Sequence, residues 1–428
     1  VPVSDTRPST DSTITAQLGL DTVSVDTLNR NRLTNPLGPE GVPVLDAFFA
    51  ALHADQIAGK PPRIGFYGDS QIEGDRITQV IRYRLHRSLG GKGLGYIPFE
   101  EPATHHSLTR TTRGSWYQYT CHQNRYTSNY YGPAGRVYRI QKPLKGEALQ
   151  AILEGGERVR SSVRLKLAAG VVYDRLHLWW GKAPAPVVVR CMFADSTTVD
   201  TLRPTDRFEI TALRVPPNTL DVRVEFEAVA SPDLYGFSLD GETGVQLDNF
   251  GIRGHAGQGL YKINPFYWAQ ALRDLNTRLI VLQYGNNVVP GENAHQTEYI
   301  EREFYGLYSR IRQLAPGAAI LAISVGDMGH RVEGKAVSYA TVPLVRDAQK
   351  RAAERAGIAF WDYLSAMGGP GTIIEWAHRK PALAVSDYGH LTPRGQFHVA
   401  DLFYSALMKE YNSYVVRRGR KPEPQPQP

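Results

Sequence analysis

The chain has 428 residues, 42% of them hydrophobic, enough to bury a sizeable core and long enough for two domains. No apolar run approaches the length of a bilayer span, and the arginines behind the formal charge of +7 are scattered rather than gathered in a nucleic-acid module, so neither a transmembrane protein nor a nucleic-acid binder is expected. The only cysteines, Cys121 and Cys191, match no zinc or redox spacing, although a disulfide between them stays open; an anionic polysaccharide would suit the charge.

Residues 1–42 are rich in Ser, Thr, Asp, Pro and Asn and read as a linker or loosely ordered arm. The folded domain begins with residues 43–95. Leu45, Phe48, Phe49 and Leu52 make a helix face, Ile64, Phe66 and Tyr67 a short buried strand, and Ile77, Val80, Ile81 and Leu85 recur at helical spacing. Between strand and helix stand Gly68, Asp69 and Ser70. In an open parallel sheet the carboxyl edge of a strand is where ligands bind, and a following helix N-terminus favours negative charge. Ser70 is therefore a candidate nucleophile, although the same triplet suits an ordinary turn.

Glycines in SLGGKGLGYIPFEEP end that helix and open an excursion over residues 96–246. Its first part, 96–135, is polar and aromatic, with Trp116 and Tyr117 as candidates for lining a sugar cleft; a loop packed over the domain junction is the alternative. Over 136–246 the periodicity becomes two. Leu176, Leu178 and Trp180 alternate with His177 and Trp179, and Val222, Val224 and Phe226 with Arg223, Glu225 and Glu227, which predicts an inserted antiparallel β-sandwich. Trp179 and Trp180 must face opposite sides of a regular strand, one of them in the core; Trp179 is the first candidate for a sugar platform, and a half-exposed packing residue is the alternative.

Residues 247–415 return to alternating strands and helices, which implies a doubly wound parallel sheet. LDNFGIRGHAGQG supplies Gly254 at one strand tip, and RLIVLQYGNN ends in Gly285, Asn286 and Asn287 at another. Glycine lets its backbone N–H approach a substrate, and an asparagine amide can donate to an oxyanion. Asp387 and His390 lie three residues apart in a loop before a last helix near 394–412, and an imidazole suits the task of taking a serine proton. The charged, proline-rich residues 416–428 are expected to be disordered.

The order Gly68-Asp69-Ser70, Gly254, Gly285-x-Asn287 and Asp387-x-x-His390 resembles the four sequence blocks of the SGNH, or GDSL-type, hydrolases. The resemblance implies catalysis by Ser70, His390 and Asp387, with an oxyanion hole of the Ser70 and Gly254 N–H groups and the Asn287 amide. Val288 stands where the family usually has Asp; the G-x-N spacing favours Asn287 over Asn286 as donor. An SGNH domain interrupted by a β-sandwich is similar to the peptidoglycan O-acetylesterases and related secreted polysaccharide O-acetyl esterases, whose insert resembles a carbohydrate-binding module. That likeness implies a secreted, periplasmic or cell-surface serine esterase acting on an acetylated carbohydrate, with no cofactor and no metal. A polysaccharide O-acetyltransferase using the same triad and a non-catalytic carbohydrate-binding protein are the alternatives.

Overall fold

Short apolar strands alternating with amphipathic helices leave each strand with two faces to cover, and the architecture follows from that need. The computed structural model describes residues 30–54, 60–291 and 297–419. Its central sheet has six strands in the spatial order Leu33–Thr34, Ala359–Trp361, Ala319–Ile323, Thr277–Gln283, Arg63–Gly68 and Gln246–Gly251. All run parallel except the edge strand Leu33–Thr34. Alternate residues enter different cores: Ile280 and Leu282 one, Leu279 and Val281 the other. Helices Pro265–Asp274, Thr297–Leu314 and Val342–Ala356 cover the first face. Helices Asp46–Ala54, Thr78–Leu89 and Pro393–Gly419 cover the second.

Arg63–Gly68 is the first parallel strand along the chain. Its successor, Gln246–Gly251, lies on one side of it and the other three on the opposite side. The winding therefore reverses at Arg63–Gly68, and the crevice beyond the carboxyl ends of this strand and Thr277–Gln283 is where such sheets bind ligands.

Residues between these halves form two antiparallel sheets. One orders Glu209–Ala212, Arg175–Gly181, Asp233–Asp240, Arg136–Arg139 and Tyr117–Thr120, with Gly95–Ile97 paired beside Asp233–Asp240. The other orders Ser196–Leu202, Val187–Phe193, Asp221–Ala228, Val159–Leu167 and Leu108–Gly114. Leu178 and Phe237 from the former and Val189, Val224 and Phe226 from the latter share one apolar cluster, so the sheets face each other across it. The former sheet also presents Trp179, Tyr235 and the neighbouring Tyr96 to the core containing Phe250 and Trp268. It is thus the middle layer between the parallel sheet and the outer antiparallel one. Arg63 ties these layers together: its guanidinium donates to Asp240 at 2.7 Å and to Asp248 at 2.9 Å, while Asp240 also holds His177 at 2.7 Å.

Several expectations need correction. Trp179 is no sugar platform: its indole is fully buried, stacked on Tyr96 at 5.1 Å with the Arg63 guanidinium over it. Trp180 is also buried, on the opposite face, because both faces of this middle sheet are covered. Part of the supposed arm is docked. Asn31 is buried, donating to the Leu402 carbonyl at 2.7 Å and accepting from the Trp361 indole at 2.8 Å; residues 1–29 lie outside the described residues. The last helix runs to Gly419, into the expected tail, whose residues 420–428 also lie outside. The boundary drawn at 95/96 falls inside the Gly95–Ile97 strand, and a surface helix, Gly146–Gly155, interrupts the region expected to be all β. Cys121 and Cys191 are buried free thiols in different clusters. Among the described residues no helix is long and apolar enough to cross a membrane.

Candidate active site

Ser70 follows the Arg63–Gly68 strand in a tight turn organised by its neighbour. The buried Asp69 accepts from the Gln71 N–H at 2.9 Å through Oδ1, while its carbonyl accepts from Ile72 and Glu73. Gly68 packs tightly, since a Cβ there would stand 3.0 Å from Ile72 Cδ1 and 3.1 Å from the Gln283 carbonyl, so a larger residue would have to push its neighbours aside. The helix N-terminus expected beside Ser70 is not there. A short 3-10 turn, Glu73–Asp75, intervenes, and the helix starts at Thr78, so a helix N-terminus does not supply the field at the serine. The Arg76 guanidinium is the nearby cation instead, donating to the Ser70 carbonyl at 2.8 Å.

His390 comes from a loop 320 residues away and lies within hydrogen-bond reach of Ser70, with Nε2 3.0 Å from Oγ. Its Nδ1 is 2.8 Å from Asp387 Oδ2, and Asp387 Oδ1 accepts from the Gly389 and His390 N–H groups at 2.9 and 3.0 Å. A carboxylate can only accept, so Nδ1 carries the proton and Nε2 is left to accept from the serine. Partial burial alone would raise the Asp387 carboxyl, but the Gly389 N–H and the His390 ring hold it below the usual carboxylate range. Gln71 is a residue the sequence reading missed. Its amide donates to the Gly389 carbonyl at 2.7 Å and so fastens the histidine loop to the serine turn.

Asn287 and Gly254 occupy the adjoining strand tips. The Asn287 amide donates to Asp69 Oδ2 at 2.9 Å and, more loosely, to the His255 carbonyl at 3.3 Å. Asp69 thereby fixes which way the amide points, and exchange of the long bond for an oxyanion would free a donor. Burial pushes the Asp69 carboxyl up to about 6, against the opposing effects of Gln71, His390 and Asn287. Gly254 has φ +72°, a conformation that favours glycine, and a Cβ there would meet only His122 Nε2, at 3.5 Å. His122 therefore brings the antiparallel region to the site. Its ring lies 5.4 Å from that of His255, whose buried imidazole is pushed down to about 3 by burial first and by the neighbouring His122 next. Arg253 is held by the buried Glu73 at 2.8 Å, with its side chain still 55% exposed.

The other sequence candidates lie elsewhere. Trp116 packs its ring on Phe99 and Phe226 at the edge of the sheet-to-sheet cluster, and Tyr117 lies under Lys142 at 5.9 Å. Neither has a hydrogen bond or ring contact with Ser70 or His390 among the described residues. No group of three or more metal-ligating side chains is assembled among them either.

No protein-family model and no curated protein matches the sequence. The fold is a parallel α/β sheet combined with a sheet-rich antiparallel region. Among solved structures, a peptidoglycan O-acetylesterase is similar over 89% of this chain and 99% of its own, with a TM-score of 0.68 at 18% identity. At that identity the likeness is one of fold. An acetyl xylan esterase matches over 38% of this chain and 81% of its own, with 19% identity and a TM-score of 0.29. A family two carbohydrate esterase from Clostridium thermocellum matches over 61% and 96%, with 10% identity and a TM-score of 0.27. These two are too distant to carry an argument.

Proposed function

We propose that this protein is a serine esterase that hydrolyses O-acetyl esters on a carbohydrate, peptidoglycan being the leading substrate. The observation that carries the reading is the hydrogen-bonded relay from Ser70 Oγ through the His390 imidazole to Asp387, at the point where the sheet reverses its winding. Ser70 attacks the acetyl carbonyl as His390 Nε2 takes its proton, and Asp387 stabilises the imidazolium. The oxyanion is received by the Ser70 and Gly254 N–H groups and the Asn287 amide. Collapse expels the sugar alkoxide, which recovers the proton from His390. Water then attacks the acetyl-serine with His390 again as base, releasing acetate and restoring Ser70. The whole-length likeness in fold to a peptidoglycan O-acetylesterase supports the substrate class, and with it action at the cell surface or beyond. In this reading the two antiparallel sheets are an inserted β-sandwich, and His122 is the inserted region's contact with the reacting substrate.

The test is acetate release from O-acetylated peptidoglycan, with an unacetylated glycan added as competing acceptor. Ser70→Ala is expected to lower kcat by on the order of 10^4-fold or more, and Asn287→Ala by roughly 100-fold. Transfer of acetyl to the acceptor in place of acetate release would make the protein a transferase. Neither product would leave a binding protein. A larger loss from Asn286→Ala than from Asn287→Ala would move the oxyanion donor by one residue.

A further inference from the structure

The outward face of the five-stranded antiparallel sheet carries a feature that the esterase reading does not use. Cross-strand register lays its side chains in transverse rows: Thr109, Lys166 and Asp221; then Thr111, Arg164 and Arg223; then Arg113, Ser162 and Glu225. All except the two carboxylates line a cavity of about 210 Å³. The charges here do not balance. Arg164 takes Asp221 with two nitrogens, at 2.6 and 2.7 Å, and Arg190 takes Glu225 at 3.2 Å. Arg113, Lys166 and Arg223 form no ion pair among the described residues.

Arg164 and Arg223 stand directly opposite each other on neighbouring strands. Like charges so placed destabilise a sheet. Asp221 takes up Arg164 and lies near Lys166 and Arg223, but one carboxylate offsets only part of this charge, and an anion lying across Arg223, Lys166 and Arg113 would take up the rest. The remaining lining side chains are Thr109, Thr111 and Ser162, whose hydroxyls can bond sugar hydroxyls. No aromatic ring lines the cavity, so neither a neutral sugar face nor a single-stranded base has anything to stack on.

The geometry points to a binding site for an anionic, carboxylate-bearing polysaccharide, its charges received by Arg223, Lys166 and Arg113. The middle sheet and two apolar clusters separate this face from Ser70, so a small ligand bound here cannot reach the reaction, whereas a polymer chain can engage both. The choice of a glycan over another polyanion rests on the esterase reading above.

The experiment measures equilibrium binding of the full chain to polygalacturonate, with dextran as a neutral reference and duplex DNA as competitor. Lys166→Gln with Arg223→Gln should weaken binding at least tenfold. Arg302→Gln with Lys350→Gln, an equal change of charge on helices of the α/β part, should alter it less than twofold. The first pair should melt no lower than the parent, since it relieves repulsion, and Arg113→Gln alone should give a smaller loss in the same direction. No binding to polygalacturonate, equal loss in the control pair, or DNA competing as well as the glycan would each overturn the site. Acetate release, measured on the same preparations, keeps the two readings apart: binding without turnover sinks the esterase and leaves the site standing.

Discussion

Asp69 has two effects that oppose each other. It fixes the Ser70 turn through Gln71 and orients the Asn287 amide, yet it is fully buried, and burial outweighs the effects of Gln71, His390 and Asn287, so its carboxyl is pushed up to about 6 from the ordinary 3.8. Between those values the folded protein holds a proton that the unfolded chain releases, so stability falls as pH rises through this window. Keeping the carboxylate ionised at pH 7 costs on the order of 3 kcal/mol. Asp69→Asn should therefore flatten the pH dependence of urea unfolding between about pH 4 and 6. It should also slow turnover, because an amide cannot accept from Gln71 and Asn287 as a carboxylate does. A variant with the same pH slope as the parent would remove Asp69 as its source. The sequence showed the residue types of the site but not their coupling. Gln71 and His122 carry no motif, and only the meeting of chain segments far apart in sequence reveals them.

At the level of strands and helices, periodicity gave the parallel sheet and the two-residue alternation of the antiparallel region. It failed where both faces of a strand are covered, as at Trp179 and Trp180, because alternation does not say whether the second face meets water or another layer. The helical spacing from Ile77 to Leu85 matches the helix Thr78–Leu89, but its N-terminus does not reach Ser70, since the turn over Glu73–Asp75 holds Gly74 at φ +72°, outside the helical region. The join between layers rests on Arg63. Burial alone would raise the Asp240 carboxyl, but Arg63 first and His177 next hold it well below its ordinary 3.8. Asp240 thus contributes stability above about pH 4 that is lost as the pH falls further, through its depressed folded value. Asp240→Asn should cost roughly 3–5 kcal/mol at neutral pH, the scale of breaking a buried ion pair. Hydrogen exchange should locate the loosening in Asp233–Asp240; a loss below about 1 kcal/mol would mean that Asp248 alone suffices for Arg63.

Across the whole molecule, the segment before Val44 closes the edge of the parallel sheet. Its composition gave no sign of this, because two residues of strand and one buried asparagine leave no periodic trace. Asn31→Ala would leave the Trp361 indole N–H without its acceptor and remove the extra donor on the Leu402 carbonyl, and should cost about 1–3 kcal/mol in thermal or urea unfolding. An unchanged midpoint would show the segment to be dispensable.

The middle sheet also bears on how such a chain is assembled in evolution and how it can be cut. Tyr96, Trp179 and Tyr235 on one side and Tyr67, Phe250 and Trp268 on the other belong to a single core. A domain hung on a tether can be lost or exchanged without cost to its host, but a wall shared by two rooms cannot. Recombination that replaced the antiparallel region would have to bring a matching aromatic face with it, so the two halves of this protein are bound to change together.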